Sequence, residues 1–232
     1  WTHNDSGDSP RLFAFDTDGR HRGEVKIEGA EHVDWEDIAS YDIGGVASLM
    51  IGDVGDNRLS RQSVTCYRIV EPQLTDDRAK VVQTWSIRYP EGSRDCEAIA
   101  VDGSQQLLVL ATKSKGLQAE LYGVKLDSDR KYQEATATFL GKVPIPFITG
   151  MDIHPHDHRI VFSTYLDAFL YQPARMRETA TIDWSETLNS QPRLVPTPFR
   201  RQGEAVCFDR NLNGIWLTSE KKPTPLMFVP LE

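Results

Sequence analysis

No apolar run in the chain approaches the roughly 18–20 residues that a membrane-spanning helix requires, so the sequence carries no helical membrane span. Cysteine is scarce. Cys66, Cys96 and Cys207 are odd in number and widely spaced, and each falls in a predicted strand, so they read as buried, inert thiols rather than a disulfide or a nucleophile. Positive charge is also short: 26 Lys and Arg face 34 Asp and Glu, a net charge of −8. Nucleic acid is thereby disfavoured, because phosphate binding needs clustered cations, and metal cations are favoured. A Gly-x-Ser-x-Gly nucleophile elbow, a Gly-Lys-Ser phosphate loop and a Cys-x-x-Cys pair are all missing. Helical periodicity is confined to faint stretches at 174–179 and 184–187. The chain opens on Trp1 with neither an initiator methionine nor a signal peptide, which reads as a processed product.

A glycine-and-carboxylate phrase is present instead, and it recurs at intervals of about fifty to sixty residues. It reads Asp34-Trp35-Glu36-Asp37, then Asp95-Cys96-Glu97-Ala98, then Gly150-Met151-Asp152-Ile153, then Gly203-Glu204-Ala205-Val206. Each copy opens a short strand, and a second apolar strand ending in polar residues follows it. A repeat of this length built from β units is the signature of a propeller. With 39% hydrophobic and 26% charged residues, ordinary for a globular protein, the expectation is one all-β domain over residues 1–232, a β-propeller of five blades.

Lettering the strands of a blade A to D from the axis outward, the first unit starts in mid-blade. Its B strand is expected at 1–4, C at 11–16 and D at 23–28. The second unit has A at 35–40, B at 47–53, C at 63–70 and D at 81–89. The third follows at 96–102, 106–112, 120–125 and 135–143, and the fourth at 151–154, 159–164, 168–172 and 192–196. The fifth has A at 204–208, B at 214–219 and C at 226–230. These are short β-branched and aromatic runs bounded by Gly, Asp, Asn and Pro turns. The first unit lacks an A strand and the fifth a D strand, which leaves sheet edges bare. The ends therefore either exchange strands to close the ring, or flanking sequence supplies a sixth blade.

A strands line the channel of a propeller, so Glu36, Glu97, Asp152 and Glu204 are expected at one level around the axis. Like charges that close raise one another's pKa or require a cation, and a ring of oxygen donors suits Ca²⁺ better than zinc or copper. The same side chains can equally accept backbone N–H groups and lock the blades together. B-strand ends bring a more varied set to one mouth of the channel: Asn4, Asp5, Asp53, Asp56, Asn57, Arg61, Lys113, Tyr165 and Glu220. Gly52-Asp53-Val54-Gly55-Asp56-Asn57 and Asn4-Asp5-Ser6-Gly7 offer hard oxygen donors, and read equally as tight Asx turns. Lys113, Tyr165, Arg61 and Glu220 add the acid, base and clamp that hydrolysis or the binding of a sugar or phosphoester needs. The histidines of His154-Pro155-His156-Asp157-His158 read as a solvated turn at the opposite end rather than a zinc site.

Trp1-Thr2-His3-Asn4-Asp5-Ser6-Gly7, Asp34-Trp35-Glu36-Asp37, Gly52-Asp53-Val54-Gly55-Asp56-Asn57 and the later Glu-Ala pairs resemble exported bacterial propeller proteins. These are akin to the SdiA-regulated, NHL-like and phytase-like group. In the wider group of calcium-dependent lactonases and phosphotriesterases, a channel calcium is held by carboxylates and asparagines and polarises the substrate. By that resemblance Glu36, Asn57, Glu97, Asp152 and Glu204 are the ligands of a calcium ion. Function is thus expected to be that of a periplasmic or extracellular monomer binding calcium in its channel and a small molecule, glycan or protein at the B-strand ends. The alternative is a calcium-dependent hydrolase of lactones, esters or phosphoesters.

Overall fold

The computed structural model describes residues 1–232 except 115, 128, 177, 178, 180, 212, 221, 223 and 232. Alternating apolar residues shape strands β1 (Arg11–Phe15) and β2 (His21–Glu28), an antiparallel pair joined to the N-terminus by one bridge, Thr2 to Phe13. The B strand expected at 1–4 is reduced to that bridge. Next come β3 (Trp35–Ile43), β4 (Val46–Asp53), β5 (Val64–Val70) and β6 (Arg78–Arg88), paired in order. The third unit holds β7 (Cys96–Asp102), β8 (Leu107–Thr112) and β9 (Ala119–Lys125), followed by β10 (Tyr132–Thr136) and β11 (Thr138–Val143). The single D strand expected at 135–143 is split here. Strand β11 closes its own sheet on β9, whereas β10 crosses to pair in parallel with β6 of the preceding sheet.

The fourth unit runs β12 (Ile148–Ile153), β13 (Ile160–Thr164), β14 (Ala168–Tyr171), helix α1 (Trp184–Asn189) and β15 (Arg193–Val195). Of the two helical stretches, the one at 184–187 forms, with Asp183 capping it by accepting from Glu186 N. The other falls partly outside the described residues, and Arg175 instead bridges to Ile182. The last unit is β16 (Gly203–Phe208), β17 (Gly214–Ser219) and β18 (Met227–Pro230).

Strands β7 and β8 are buried along their whole length, because a central strand covered on both faces reads as a continuous apolar run. Four cores lie in series, each filling the gap between two successive units. Leu12, Val25, Ile51 and Tyr67 join the first to the second. Met50, Trp85, Ile99 and Tyr122 join the second to the third. Met151, Phe162 and Leu121 join the third to the fourth, and Leu170, Val206 and Leu217 join the fourth to the fifth. Among the described residues, no strand pairing and no core cluster joins β16–β18 to β1–β2, so of the two ways of closing the ring an exchange of terminal strands does not form here. The first unit leans on β6 instead, through parallel pairing of Lys26–Glu28 with Arg78–Lys80.

Two local expectations are corrected. Cys66 and Cys96 are buried, but Cys207 is exposed on inner strand β16. The histidine-rich turn sits between β12 and β13, yet His154 is buried, with Nδ1 2.8 Å from Asp157 Oδ1. No described helix is long and apolar enough to cross a membrane.

Candidate functional site

Each inner strand carries an irregularity where it enters the sheet. Pairing skips from Trp35 to Asp37 in β3, from Cys96 to Ala98 in β7, from Ile148 to Gly150 in β12 and from Gly203 to Val206 in β16. A bulge leaves a residue unpaired and re-aims its side chain. The residues so released are Glu36, Glu97, Thr149, and Glu204 with Ala205. Their neighbours face the ends of the second strands: Trp35 opposes Asp53, Cys96 opposes Thr112, Ile148 opposes Thr164 and Gly203 opposes Ser219. All four bulges therefore lie at the same end of the inner strands.

This register corrects one member of the expected carboxylate ring. Thr149, not Asp152, is the counterpart of the three glutamates, and its hydroxyl donates to Gly203 O at 2.9 Å. Asp152 lies three residues further along β12 and is spent on backbone, accepting from Ile153 N and Phe208 N at 2.8 Å each. Burial pushes its carboxyl up to about 7. Asp37 does the same work on a larger scale and went unremarked in the sequence. It accepts from Ile38 N (2.8 Å), Ile99 N (2.9 Å) and Met151 N (3.3 Å), tying β3, β7 and β12 together. Its signal was present: at the corresponding place after the bulge the other repeats carry Ala98, Gly150 and Val206.

At the mouth itself the remaining glutamates meet further acids. The N-terminal segment, held by the Thr2 bridge and by His3 edge-on to Trp35 (ring centroids 5.7 Å), brings Asp5 to Asp34 and Glu36. One carboxylate oxygen from each of these three lies within 4.8 Å of the others. Gly55 makes room for them, since a Cβ there would overlap Glu36 Oε1 and Asp34 Oδ2. Burial, then the charges of Glu97, Asp5 and Asp34, push the Glu36 carboxyl far above the usual carboxylate range. Burial and then Asp5 raise Asp34 as well.

Glu97 is 4% exposed. Its Oε2 meets Lys113 Nζ at 2.9 Å, and its Oε1 has no hydrogen-bond partner among the described residues. Both halves of this ion pair are raised. Burial outweighs the ammonium at Glu97; at Lys113 burial is outweighed by Tyr165 and Glu97, so the proton stays on the amine. The ammonium also sits 5.3 Å over the Tyr165 ring. Glu204, whose Oε1 accepts from Gln202 Nε2 at 2.9 Å, is pushed up to about 7 by burial, a rise Gln202 partly offsets.

The other expected residues support this mouth rather than line it. Asp53 accepts from Val33 N and Asp34 N at 3.1 Å and from Arg61 at 2.8 Å, which fixes the approach to β3. Asp56 accepts from Ser60 N and Arg61 N at 2.9 and 2.8 Å, an Asx-type turn. Arg61 also donates to Gly55 O at 2.8 Å. Asn4 donates to Asp8 at 2.5 Å, while Asn57 and Glu220 are exposed. The structure thus gathers Asp5, Glu36, Glu97, Lys113, Tyr165 and Glu204, adds Asp34, Gly55 and Gln202, and leaves Asp152 in a separate backbone role.

No family model matches the chain, and no curated protein matches it in sequence. Solved structures do match. A gluconolactonase of Xanthomonas campestris superposes with a TM-score of 0.50 at 12% identity, over 95% of this chain and 65% of that one. The periplasmic gluconolactonase of Pseudomonas aeruginosa gives 0.47 at 11%, over 97% and 66%, and the Dos1 propeller 0.41 at 10%, over 96% and 54%. The chain therefore spans less than two thirds of the length of the two gluconolactonases. At 12% identity the first likeness is one of fold alone, and it agrees with sheets stacked around bulged inner strands: the chain is an all-β propeller.

Proposed function

We propose that the bulged end of the channel binds a divalent cation, with calcium the best fit, and a small molecule beside it. The observation that carries this reading is the gathering of Asp5, Asp34 and Glu36, with one oxygen of each within 4.8 Å of the others, beside the Glu97–Lys113 ion pair, where Glu97 Oε1 is buried and met by no N–H group among the described residues. A buried polar atom without a partner costs on the order of 1–3 kcal/mol, and clustered carboxylates cost more unless they are protonated or matched by a cation. The donors are hard oxygens on segments tolerant of several ligand arrangements, which suits calcium. Asp5, Asp34 and Glu36 would hold the ion, with Glu97 completing the set. Asn57, exposed at its turn, and Asp152, committed to backbone, are left out. The resemblance to exported propellers fits a periplasmic or extracellular setting.

A second reading, hydrolysis of a lactone or ester, is favoured by Glu204. A carboxyl titrating at about 7 is matched to general-base work near neutral pH. Lys113 is a fixed positive charge for a developing oxyanion. In this scheme Glu204 takes a proton from water as its oxygen bonds to the carbonyl carbon. The carbon–oxygen bond of the ring or ester then breaks, and the alkoxide leaves with the proton returned by Glu204. A bound cation would supply Lewis-acid polarisation of the carbonyl.

The test is thermal unfolding of the EDTA-treated chain with added Ca²⁺, Mg²⁺ and Zn²⁺. A Ca²⁺-selective rise in midpoint is expected, since an ion that binds only the native state stabilises by mass action. No shift with any ion would sink the cation reading. Turnover of lactones that rises as pH passes through about 7, and loses that limb in Glu204→Gln, is the result expected of the hydrolase reading.

A further inference from the structure

The loops that open on the bulged end carry an apolar shelf that the cation site does not use. Phe147, in the turn before β12, has φ +55°, a conformation that is an outlier for a bulky side chain and is retained only where surroundings enforce it. Here Phe147 N donates to Ser114 O at 3.2 Å, and the ring stacks on Tyr165 with centroids 5.9 Å apart and planes 20° apart. The Phe147 side of this stack remains 38% exposed. Tyr165 is the ring under Lys113, so the shelf begins at the Lys113–Glu97 ion pair.

Further exposed apolar side chains lie in the loops at this same end. Leu117 follows Ser114 in the β8–β9 loop and is 85% exposed. Leu166, beside Tyr165, is 60% exposed, and Phe199, in the loop before β16, is 81% exposed. Thr197 Oγ1 donates to Leu166 O at 3.1 Å, which fastens the last two loops together. At the opposite end Leu74 and Met176 are exposed in the loops, with Phe15, Val46 and Val70 at the strand ends beside them, and none of these is stacked on a ring held by an ion pair. Exposed apolar surface gathered at a polar pocket marks a ligand site more often than chance. The mouth is therefore amphipathic, with acids and one ammonium at its centre and an apolar shelf on one side.

We infer that the small molecule taken by this site is amphipathic: a carbonyl-bearing head whose oxygen accepts from Lys113, the ammonium that Glu97 holds in place, and an alkyl or aryl tail laid across Phe147 and Tyr165 towards Leu117, Leu166 and Phe199. This rests on the head-binding reading above and adds the class of ligand to it. A polyhydroxylated sugar lactone would leave the shelf unused.

The experiment is calorimetric titration of the calcium-supplemented chain with γ-butyrolactones carrying butyl, hexyl and octyl tails, and with glucono-δ-lactone. Full burial of a methylene is worth about fourfold in affinity, and an open shelf covers roughly half of it, so about twofold per methylene is expected. Phe147→Ala should flatten this dependence, Phe147→Tyr should keep it, and Phe228→Ala, an exposed ring on outer strand β18, should leave it unchanged. Glu97→Gln should weaken every member by a similar factor and preserve the dependence on tail length. If Glu97→Gln changes nothing while the tail dependence persists in wild type and is lost in Phe147→Ala, the shelf stands and the head reading falls. Equal affinity for all tails, tighter binding of the gluconolactone, or a folded Phe147→Ala with undiminished tail dependence would overturn the inference.

Discussion

Glu36→Gln is the change that should separate the proposed cation site from the fold. The Glu36 carboxyl is held far above its usual range by burial and by Glu97, Asp5 and Asp34. Without a cation it is therefore protonated at neutral pH, and glutamine is close to its isostere. In EDTA the variant should unfold within about 0.5 kcal/mol of wild type, the scatter of substitutions that disturb no buried partner. With calcium the two should part. At an ion concentration 100 times Kd the native state gains about 2.7 kcal/mol, which for a chain of this size is about 5–11 °C in Tm. Loss of an outer partner of a ligand already weakens a metal site by about 10–100-fold; taking about 100-fold for loss of a ligand's charge leaves about 0.4 kcal/mol, or about 1 °C, in the variant.

A proton count provides the second reading of the same event. An ion can be ligated by Glu36 only after the carboxyl ionises, so binding should expel about one proton per ion. Calorimetry in two buffers of different ionisation enthalpy measures that proton directly, and affinity should climb about tenfold per pH unit around neutrality. The sign follows from the raised pKa, because protons compete with the ion until the pH exceeds the apo value. A calcium shift as large in Glu36→Gln as in wild type, or binding without proton release, would refute the assignment.

Asp37→Ala strands the N–H groups of Ile99 and Met151 between inner strands. At 1–3 kcal/mol for each buried unsatisfied group the loss is about 2–6 kcal/mol, roughly 5–20 °C in Tm, and a loss below about 1 kcal/mol by denaturant titration would discount its bridging role. Gly55→Ala drives a methyl group into Glu36 and Asp34; calcium stabilisation should vanish while circular dichroism stays native. Asp152, raised from 3.8 to about 7, contributes stability that is complete below about pH 4 and lost as pH rises through about 7. At about 1.4 kcal/mol per pKa unit, halved because Asp152 is only half-buried and so partly screened, wild type should lose about 2 kcal/mol relative to Asp152→Asn across that window. Parallel pH profiles of unfolding would contradict it.

Strand order, most strand boundaries and the mouth of the site were legible because blade packing writes itself into composition. Leu107–Thr112 is apolar throughout because both its faces are covered, and such runs are read directly. What could not be read was register. Gly150-Met151-Asp152 looks like Asp95-Cys96-Glu97 when aligned on its carboxylate, but the bulge falls at Thr149, so the acid lies three residues past it, in an inter-strand lock rather than at the mouth. Side-chain direction in a strand alternates, and a bulge resets it without leaving a distinctive residue. Asp34 and Asp37 were likewise visible only as a phrase. One side of Trp35 places Asp34 beside Glu36 at the mouth, while the bulge turns Asp37 back among the N–H groups of two other sheets. The same irregularity thus supplies both the site's charge and the strut that holds its strands together. This coupling explains why acids so near in sequence need opposite tests: loss of Asp37 should show in stability whether or not calcium is present, and loss of Glu36 only when it is.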